Sequence, residues 1–374
     1  MGLLTGTLPS FPWDALVPYA TIARTHPRGI VDLSVGTPVD PTPAVVRDAL
    51  AAAADWPGYP TTHGTPALRQ AVVDWFARRR GVPDLDPTAV LPTMGSKEFV
   101  AFLPSLLGLG AGDVVVHPRA AYPTYDVGAR LAGAMPLPAD DVAAWAGTST
   151  RLVWLNSPGN PDGTVRSVAQ LREAVVAARA LGAVVASDEC YAELPWEQPW
   201  VGAGVPSLLD PRVTGGDLTG LLAVYSLSKQ SNLAGYRAAF VAGDPVLIAS
   251  LLATRKHAGM IVPGPVQAAM TVALGDDAHV DSQRERYRAR RDRLLGALDA
   301  AGLEVDGSHA GLYLWARPAG APQDCWTTVG DLAALGILVA PGVFYGAAAA
   351  AHVRIALTAS DEAVAEATAR LSGA

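Results

Sequence analysis

From about Trp56 onward, short apolar β-branched runs alternate with longer alanine-rich runs of helical period, the pattern of a βαβ-wound parallel sheet covered on both faces. One unit shows the logic. Leu152-Val153-Trp154-Leu155 reads as a buried strand, Ser167-Val168-Ala169-Gln170 is a capping-box signature that opens a helix, and Leu181-Gly182 closes it. Ala183 to Ala186 is then the next strand. Asp113 to His117, Leu221 to Tyr225 and Ala238 to Ala242 read the same way, and a strand over Ala89 to Leu91 precedes a helix. After about Asp276 the character changes to a long charged helix over 281–301, a strand over Gly311 to Trp315 and a closing helix from Asp361. The pattern predicts an α/β protein in three parts: an arm and crossing strand over 1–40, a large domain over 41–275 with a mostly parallel sheet, and a small α+β domain over 276–374 that the crossing strand joins.

Composition narrows the function classes. A chain of 374 residues, half of them hydrophobic and 17% charged, can bury a large core and fits two packed domains. The net charge of −7 and pI near 5.5 speak against a nucleic-acid partner. The densest basic run, Arg284 to Arg293, also carries Glu285 and Asp292 and reads as a solvated helix face. Cys190 and Cys325 are the only cysteines, too few for a disulfide framework or a paired metal motif, so a reducing cytoplasm is expected and Cys190 reads as a strand-end filler. Met1 to Ala20 lacks a basic segment ahead of its apolar residues, and Gly6 departs from the myristoylation pattern that Gly2 would need. The most apolar stretch, Phe99 to Gly112, is shorter than the roughly 20 residues a bilayer requires. The expectation is a soluble cytoplasmic enzyme with no metal and no membrane partner.

In an open α/β sheet, ligands lie at the carboxyl ends of the strands. Three predicted strands end in polar segments: Asn156-Ser157-Pro158-Gly159-Asn160-Pro161, Ser187-Asp188-Glu189-Cys190-Tyr191 and Ser226-Leu227-Ser228-Lys229. A lone lysine in a loop is commonly a solvated surface group. Lys229 instead follows an apolar strand and small hydroxyl residues, and Leu233-Ala234-Gly235-Tyr236-Arg237 brings an arginine close behind it. Desolvation at such a place makes a lysine a Schiff-base nucleophile.

Taken together, Ser226 to Arg237, Asn156 to Gly163 and Asp188 to Tyr191 resemble, in order, the motifs of the class I/II aminotransferases among the fold-type-I pyridoxal-phosphate enzymes. The resemblance runs from Gly36 to Arg354. It implies pyridoxal 5'-phosphate as the cofactor, held as a Schiff base on Lys229, which then moves the proton between substrate and cofactor. It also implies that Asp188 pairs with the pyridine nitrogen and keeps it protonated as an electron sink, and that Tyr191 and Asn160 donate to the phenolic oxygen. The phosphate would lie on Gly95-Ser96-Lys97 at a helix N-terminus, with Ser226, Ser228 and Arg237 completing the cup. Tyr122 matches the ring-stacking aromatic, with Tyr125 three residues on. Arg354 and Gly36 match the groups that receive the substrate α-carboxylate. Tyr59 matches a tyrosine that reaches the phosphate of a neighbouring subunit, which implies a homodimer. Ala239 and Asp162 depart from the family's usual glycine and threonine, and neither removes a charged group.

Arg255 to Gln267 and Val35 to Pro41 are similar to the corresponding stretches of bacterial N-succinyldiaminopimelate aminotransferases of lysine biosynthesis. That likeness implies a glutamate/2-oxoglutarate couple and a cation for the distal carboxylate, with Arg255, Lys256 and Arg28 as candidates. Three readings compete with it: transamination of another amino acid, C–S β-elimination on the same cofactor, and a non-catalytic binder, which would have no use for an electron sink. A Rossmann dehydrogenase is disfavoured because no GxGxxG follows a predicted strand.

Overall fold

The computed structural model describes residues 8–9, 11–320 and 324–373. Gly2 and Gly6 of the expected arm lie outside the described residues.

In chain order the first strands are β1 (Val31–Asp32), β2 (Val90–Met94), β3 (Val114–His117), β4 (Met135–Pro138) and β5 (Thr150–Asn156). They are followed by β6 (Val184–Asp188), β7 (Leu221–Ser226) and β8 (Ala238–Gly243), and then by β9 (Leu303–Asp306), β10 (Tyr313–Pro318), β11 (Ile337–Leu338), β12 (Ala340–Pro341) and β13 (Val353–Ala356). The main sheet has seven strands in the order β2-β8-β7-β6-β5-β3-β4. Every neighbouring pair in it is parallel except those of β8, which runs antiparallel to both β2 and β7. The cause is local. Residues 227–237 between β7 and β8 are too few for the crossover that a parallel neighbour needs, about a dozen residues or more. The sheet is therefore mostly parallel, as the sequence pattern implies.

Both faces of this sheet are covered. Along β5, Val153 and Leu155 join one buried cluster and Leu152 and Trp154 the other, the alternation of a central strand. The first cluster takes Trp75 and Phe76 from the helix Pro66–Arg80, and the second takes Phe99 and Leu103 from the helix Ser96–Leu106. Ser167 and Gln170 form the expected reciprocal cap of the helix Val168–Ala180.

A third cluster lies under the antiparallel sheet β12-β13-β10-β9. The short β1 pairs in parallel with β11, Val31 opposite Ile337. The long charged helix is Asp277–Ala300, capped by the Asp276 side chain. Its basic run is not one solvated face. Arg290 is buried and held by Asp40 and Asp361, and Arg291 is buried beside Glu197. The carboxylates that pair with these arginines come from distant segments, which the mixed charge of the run itself does not reveal. Among the described residues no helix is long and apolar enough to cross a membrane.

Candidate active site

The register of the main sheet sets the site out along one edge. Asn156 stands opposite Asp188, Ser226 opposite Ala239, and Met94 opposite Ala238. The segments leaving β2, β5, β6 and β7, together with the one entering β8, thus meet at the carboxyl ends of the parallel strands. A cavity of about 480 Å³ opens there. Lys229, Asp188, Tyr191, Asn160, Tyr122 and Arg354 all line it, as do Gly36, Ser96, Lys97, Ser226, Ser228 and Arg237.

Lys229 sits in a one-turn helix, Leu227–Gln230, where the Ser228 amide donates to the Ser226 hydroxyl. Its ammonium donates to the Gly36 carbonyl. A side chain at position 36 would strike the Tyr313 ring, with its Cβ 2.1 Å from the hydroxyl oxygen, so only glycine lets the backbone come this close. Asp188 ends β6 with its carboxylate buried, accepting from the Tyr125 hydroxyl at 3.0 Å and the Cys190 amide at 3.3 Å. Burial pushes this carboxyl above the usual range, against the lowering effect of its hydrogen bonds.

At the other end of the row, Gly95 has φ of +79° and caps the helix that Ser96 begins. A Cβ on Gly95 would stand 2.0 Å from an Arg237 guanidinium nitrogen. Arg237 donates to the Ala234 carbonyl and has no carboxylate partner among the described residues. Helix N-terminal amides, the Ser96, Ser226 and Ser228 hydroxyls and an uncommitted guanidinium are donors suited to a phosphate. A buried carboxylate at the far end suits a protonated ring nitrogen. The donor set fits pyridoxal phosphate at both ends.

Arg354, on β13, is 3% exposed. Its guanidinium donates to Asn160 Oδ1 at 3.0 Å and to the Ser34 carbonyl at 2.7 Å, and lies over the rings of Tyr313 (3.9 Å) and Tyr345 (4.8 Å). Its Nε has no partner, and no carboxylate pairs with it among the described residues. Such a buried, unneutralised cation is suited to an anionic group. Asn156 shapes the wall by accepting the Asn160 amide and donating to the Asp188 and Pro158 carbonyls.

The expected cation for a distal carboxylate needs correction. Arg255 is not available to a distal carboxylate, because it is fully buried in a bidentate ion pair with Glu98 at 2.8 and 3.1 Å. Arg28 lies on the small unit beside Glu366 at 2.9 Å, and neither it nor Lys256 lines the cavity. Tyr59 is outside the cavity as well, fully exposed. Asp162 caps its own turn by accepting from the Thr164 amide and hydroxyl.

Sequence reasoning passed over Tyr313, Phe11 and Trp13, which also line the cavity. Tyr313 lies in a strand read as structural, and its hydroxyl is 3.3 Å from that of Tyr191. Burial would raise the Tyr313 phenol, but Arg354 and Lys229 beside it hold it below its ordinary value. Signals did exist: an aromatic on the strand paired to β13, and two aromatics in a proline-rich arm.

The family model for aminotransferases of class I and II matches residues 28–371. The chain belongs to that family. This aminotransferase is 57% identical to the 4-dedimethylamino-4-oxo-anhydrotetracycline transaminase OxyQ of Streptomyces rimosus, over 98% of this chain and 99% of that one. It is also 57% identical to a probable aminotransferase of Mycobacterium tuberculosis, over 99% of this chain and 87% of that protein. The solved structure of a probable N-succinyldiaminopimelate aminotransferase from Thermus thermophilus matches the aminotransferase fold with a TM-score of 0.85 at 28% identity, covering 97% of this chain and all of that one. Class I and II aminotransferases use pyridoxal 5'-phosphate, the group that the donor set fits.

Proposed function

We propose that this aminotransferase exchanges the amino group of glutamate with N-succinyl-2-amino-6-oxopimelate, the transamination of the diaminopimelate branch of lysine biosynthesis. The observation that carries the amino-acid half is the buried Arg354, unneutralised and lining the same cavity as Lys229. Support for the finer substrate comes from the likeness of residues 255–267 and 35–41 to that subgroup and from the resemblance to the probable N-succinyldiaminopimelate aminotransferase structure.

Bound in this site, the cofactor supplies an electron sink and a carbonyl that accepts the amino group. The residues of the chain do the rest. Arg354 and the Gly36 backbone would orient the α-carboxylate so that the Cα–H faces Lys229 Nζ. Lys229 would take that proton from Cα and deliver it to the carbon of the cofactor's carbonyl. Asp188 would hold the ring nitrogen protonated, while Tyr191 and Asn160, whose Nδ2 is left free by the Arg354 contact to its Oδ1, would donate to the phenolic oxygen. Tyr122 would stack on the ring; Gly95, Ser96, Lys97, Ser226, Ser228 and Arg237 would hold the phosphate.

A second reading has one specific support. The 57% identity to OxyQ favours a polycyclic ketone as the amino acceptor. The test is a panel of acceptors with the purified holoenzyme and glutamate, read as 2-oxoglutarate formed. The proposal predicts turnover with N-succinyl-2-amino-6-oxopimelate. Turnover confined to ring ketones establishes the second reading, and pyruvate and ammonia released from cystathionine without an acceptor would establish C–S elimination instead.

A further inference from the structure

A second cavity, of about 570 Å³, adjoins the first and shares Tyr122 with it. Its walls come from the end of β3 and the segment after it, including His117 and Arg119, and from residues 343–348 of the small unit. These walls are fixed to each other. The Ala121 amide donates to the Tyr345 carbonyl at 2.8 Å, and a Cβ on Gly346 would stand 2.4 Å from the Arg119 carbonyl. Tyr345 also packs on the Arg354 guanidinium, so one ring borders both the carboxylate anchor and the second cavity.

Two residues of this lining each carry a buried polar atom with no partner among the described residues: His117 at Nε2 and Tyr345 at its hydroxyl. The residues are 7% and 2% exposed. His117 Nδ1 lies 2.8 Å from the Pro118 carbonyl, which can only accept, so Nδ1 carries the proton. Burial holds the ring's pKa below its ordinary value and keeps it neutral. Nε2 is then a bare acceptor that calls for an N–H or O–H. The Tyr345 hydroxyl stays protonated, since burial pushes its pKa up, and it calls for a carbonyl. Asp126, also in the lining, is neutralised by Arg130 at 2.6 and 3.2 Å. Arg119 stands exposed at the rim, and its guanidinium has no carboxylate partner among the described residues. An acceptor, a donor and a cation, set among Val343, Phe344 and Pro123, match an amide N–H, an amide carbonyl and a carboxylate on a short carbon chain.

We infer that this cavity is the subsite for an N-acylated, carboxylate-ended substrate tail: the amide N–H donates to His117 Nε2, the amide carbonyl accepts from Tyr345, and the terminal carboxylate pairs with Arg119. The inference deepens the proposed reaction and rests on it for the identity of the tail. It also supplies the distal cation that Arg255 and Arg28 cannot provide.

The test uses the holoenzyme and N-succinyl-2-aminopimelate, an analogue with no transferable amino group, titrated by calorimetry. Arg119→Glu is exposed and folds normally; it should weaken binding roughly ten-fold or more, with Arg119→Lys in between. The ratio of kcat/KM for the N-succinyl substrate to that for glutamate should fall by a similar factor, through KM. His117→Phe should lower affinity for the analogue more than for pimelate, which lacks both the amide and a transferable amino group. If Arg119→Glu binds the analogue within about two-fold of wild type and still turns over the N-succinyl substrate normally, the subsite is overturned and the reaction stands. Wild-type protein that binds the analogue through Arg119 but never turns over an N-succinyl substrate would keep the subsite and overturn the reaction. Absence of both binding and turnover overturns both.

Discussion

Asp188 and Arg354 are both ionisable, buried and without a counter-charge among the described residues. For Asp188 the sign of the effect is fixed by burial, which raises its carboxyl. Ionising it in the cofactor-free fold therefore costs stability at pH above the ordinary carboxylate value, and the cost is relieved as pH falls through the raised one. Asp188→Asn should make the apoprotein more resistant to heat at pH 7, with the advantage closing as pH is lowered. The same substitution should weaken the cofactor-bound enzyme, where the carboxylate has its partner; an apoprotein destabilised at every pH would contradict this account. Arg354 makes its case kinetically. Arg354→Lys keeps the charge but loses the planar pair of donors, worth about 1.5–3 kcal/mol to a carboxylate, so kcat/KM for glutamate should drop roughly 10- to 150-fold. Lys229 and Asp188 were legible as charged residues at strand ends, and Arg354 through the resemblance to the family. Tyr313 and the Tyr125 hydroxyl on Asp188 were not, because an aromatic in an apolar run looks the same whether it packs in a core or faces a ligand.

At the scale of elements, the apolar β-branched runs identified the central strands to within a few residues, since a buried parallel strand leaves little choice of composition. The edge strand β4, Met135–Pro138, escaped notice because its outer position tolerates two prolines. The two-residue strands β1, β11 and β12 carry no periodic signal at all. What the pattern could not show is the reversal of β8, a consequence of the short 227–237 connection. That connection delivers Lys229 at its start and Arg237, with φ of +54°, at its end. Gly95 faces it across the edge. Gly95→Ala would set a methyl group against the Arg237 guanidinium on a left-handed backbone. The expected result is cofactor affinity lower by about ten-fold or more, measured by absorbance titration of the apoprotein, with little change in the unfolding midpoint of the apo form. Equal losses in both would point to general misfolding instead.

For the whole molecule, the parts are tied by a buried ionic link. Arg290 on the long helix holds Asp40 at 2.7 Å, in the segment that runs from Gly36 at the site, and also Asp361 at the start of the closing helix. Sequence order alone places these three residues in separate elements, so only the fold reveals the contact. Tyr59 presents the opposite case: a fully exposed aromatic in the loop before the helix Pro66–Arg80. In a homodimer, Tyr59 would complete the neighbouring site. Mixing Lys229→Ala subunits with Tyr59→Ala subunits should then restore activity, because each mixed dimer has one site with both residues intact; mixtures no more active than the separate variants would place Tyr59 outside catalysis.

Phe11 and Trp13 give the amino-terminal arm a practical consequence. Trp13 packs against Phe344 at 5.2 Å, and both arm aromatics line the cavity that Lys229 occupies. The arm thus supplies part of the wall of the reaction chamber. A tag placed after the closing helix is therefore the safer choice for kinetic work.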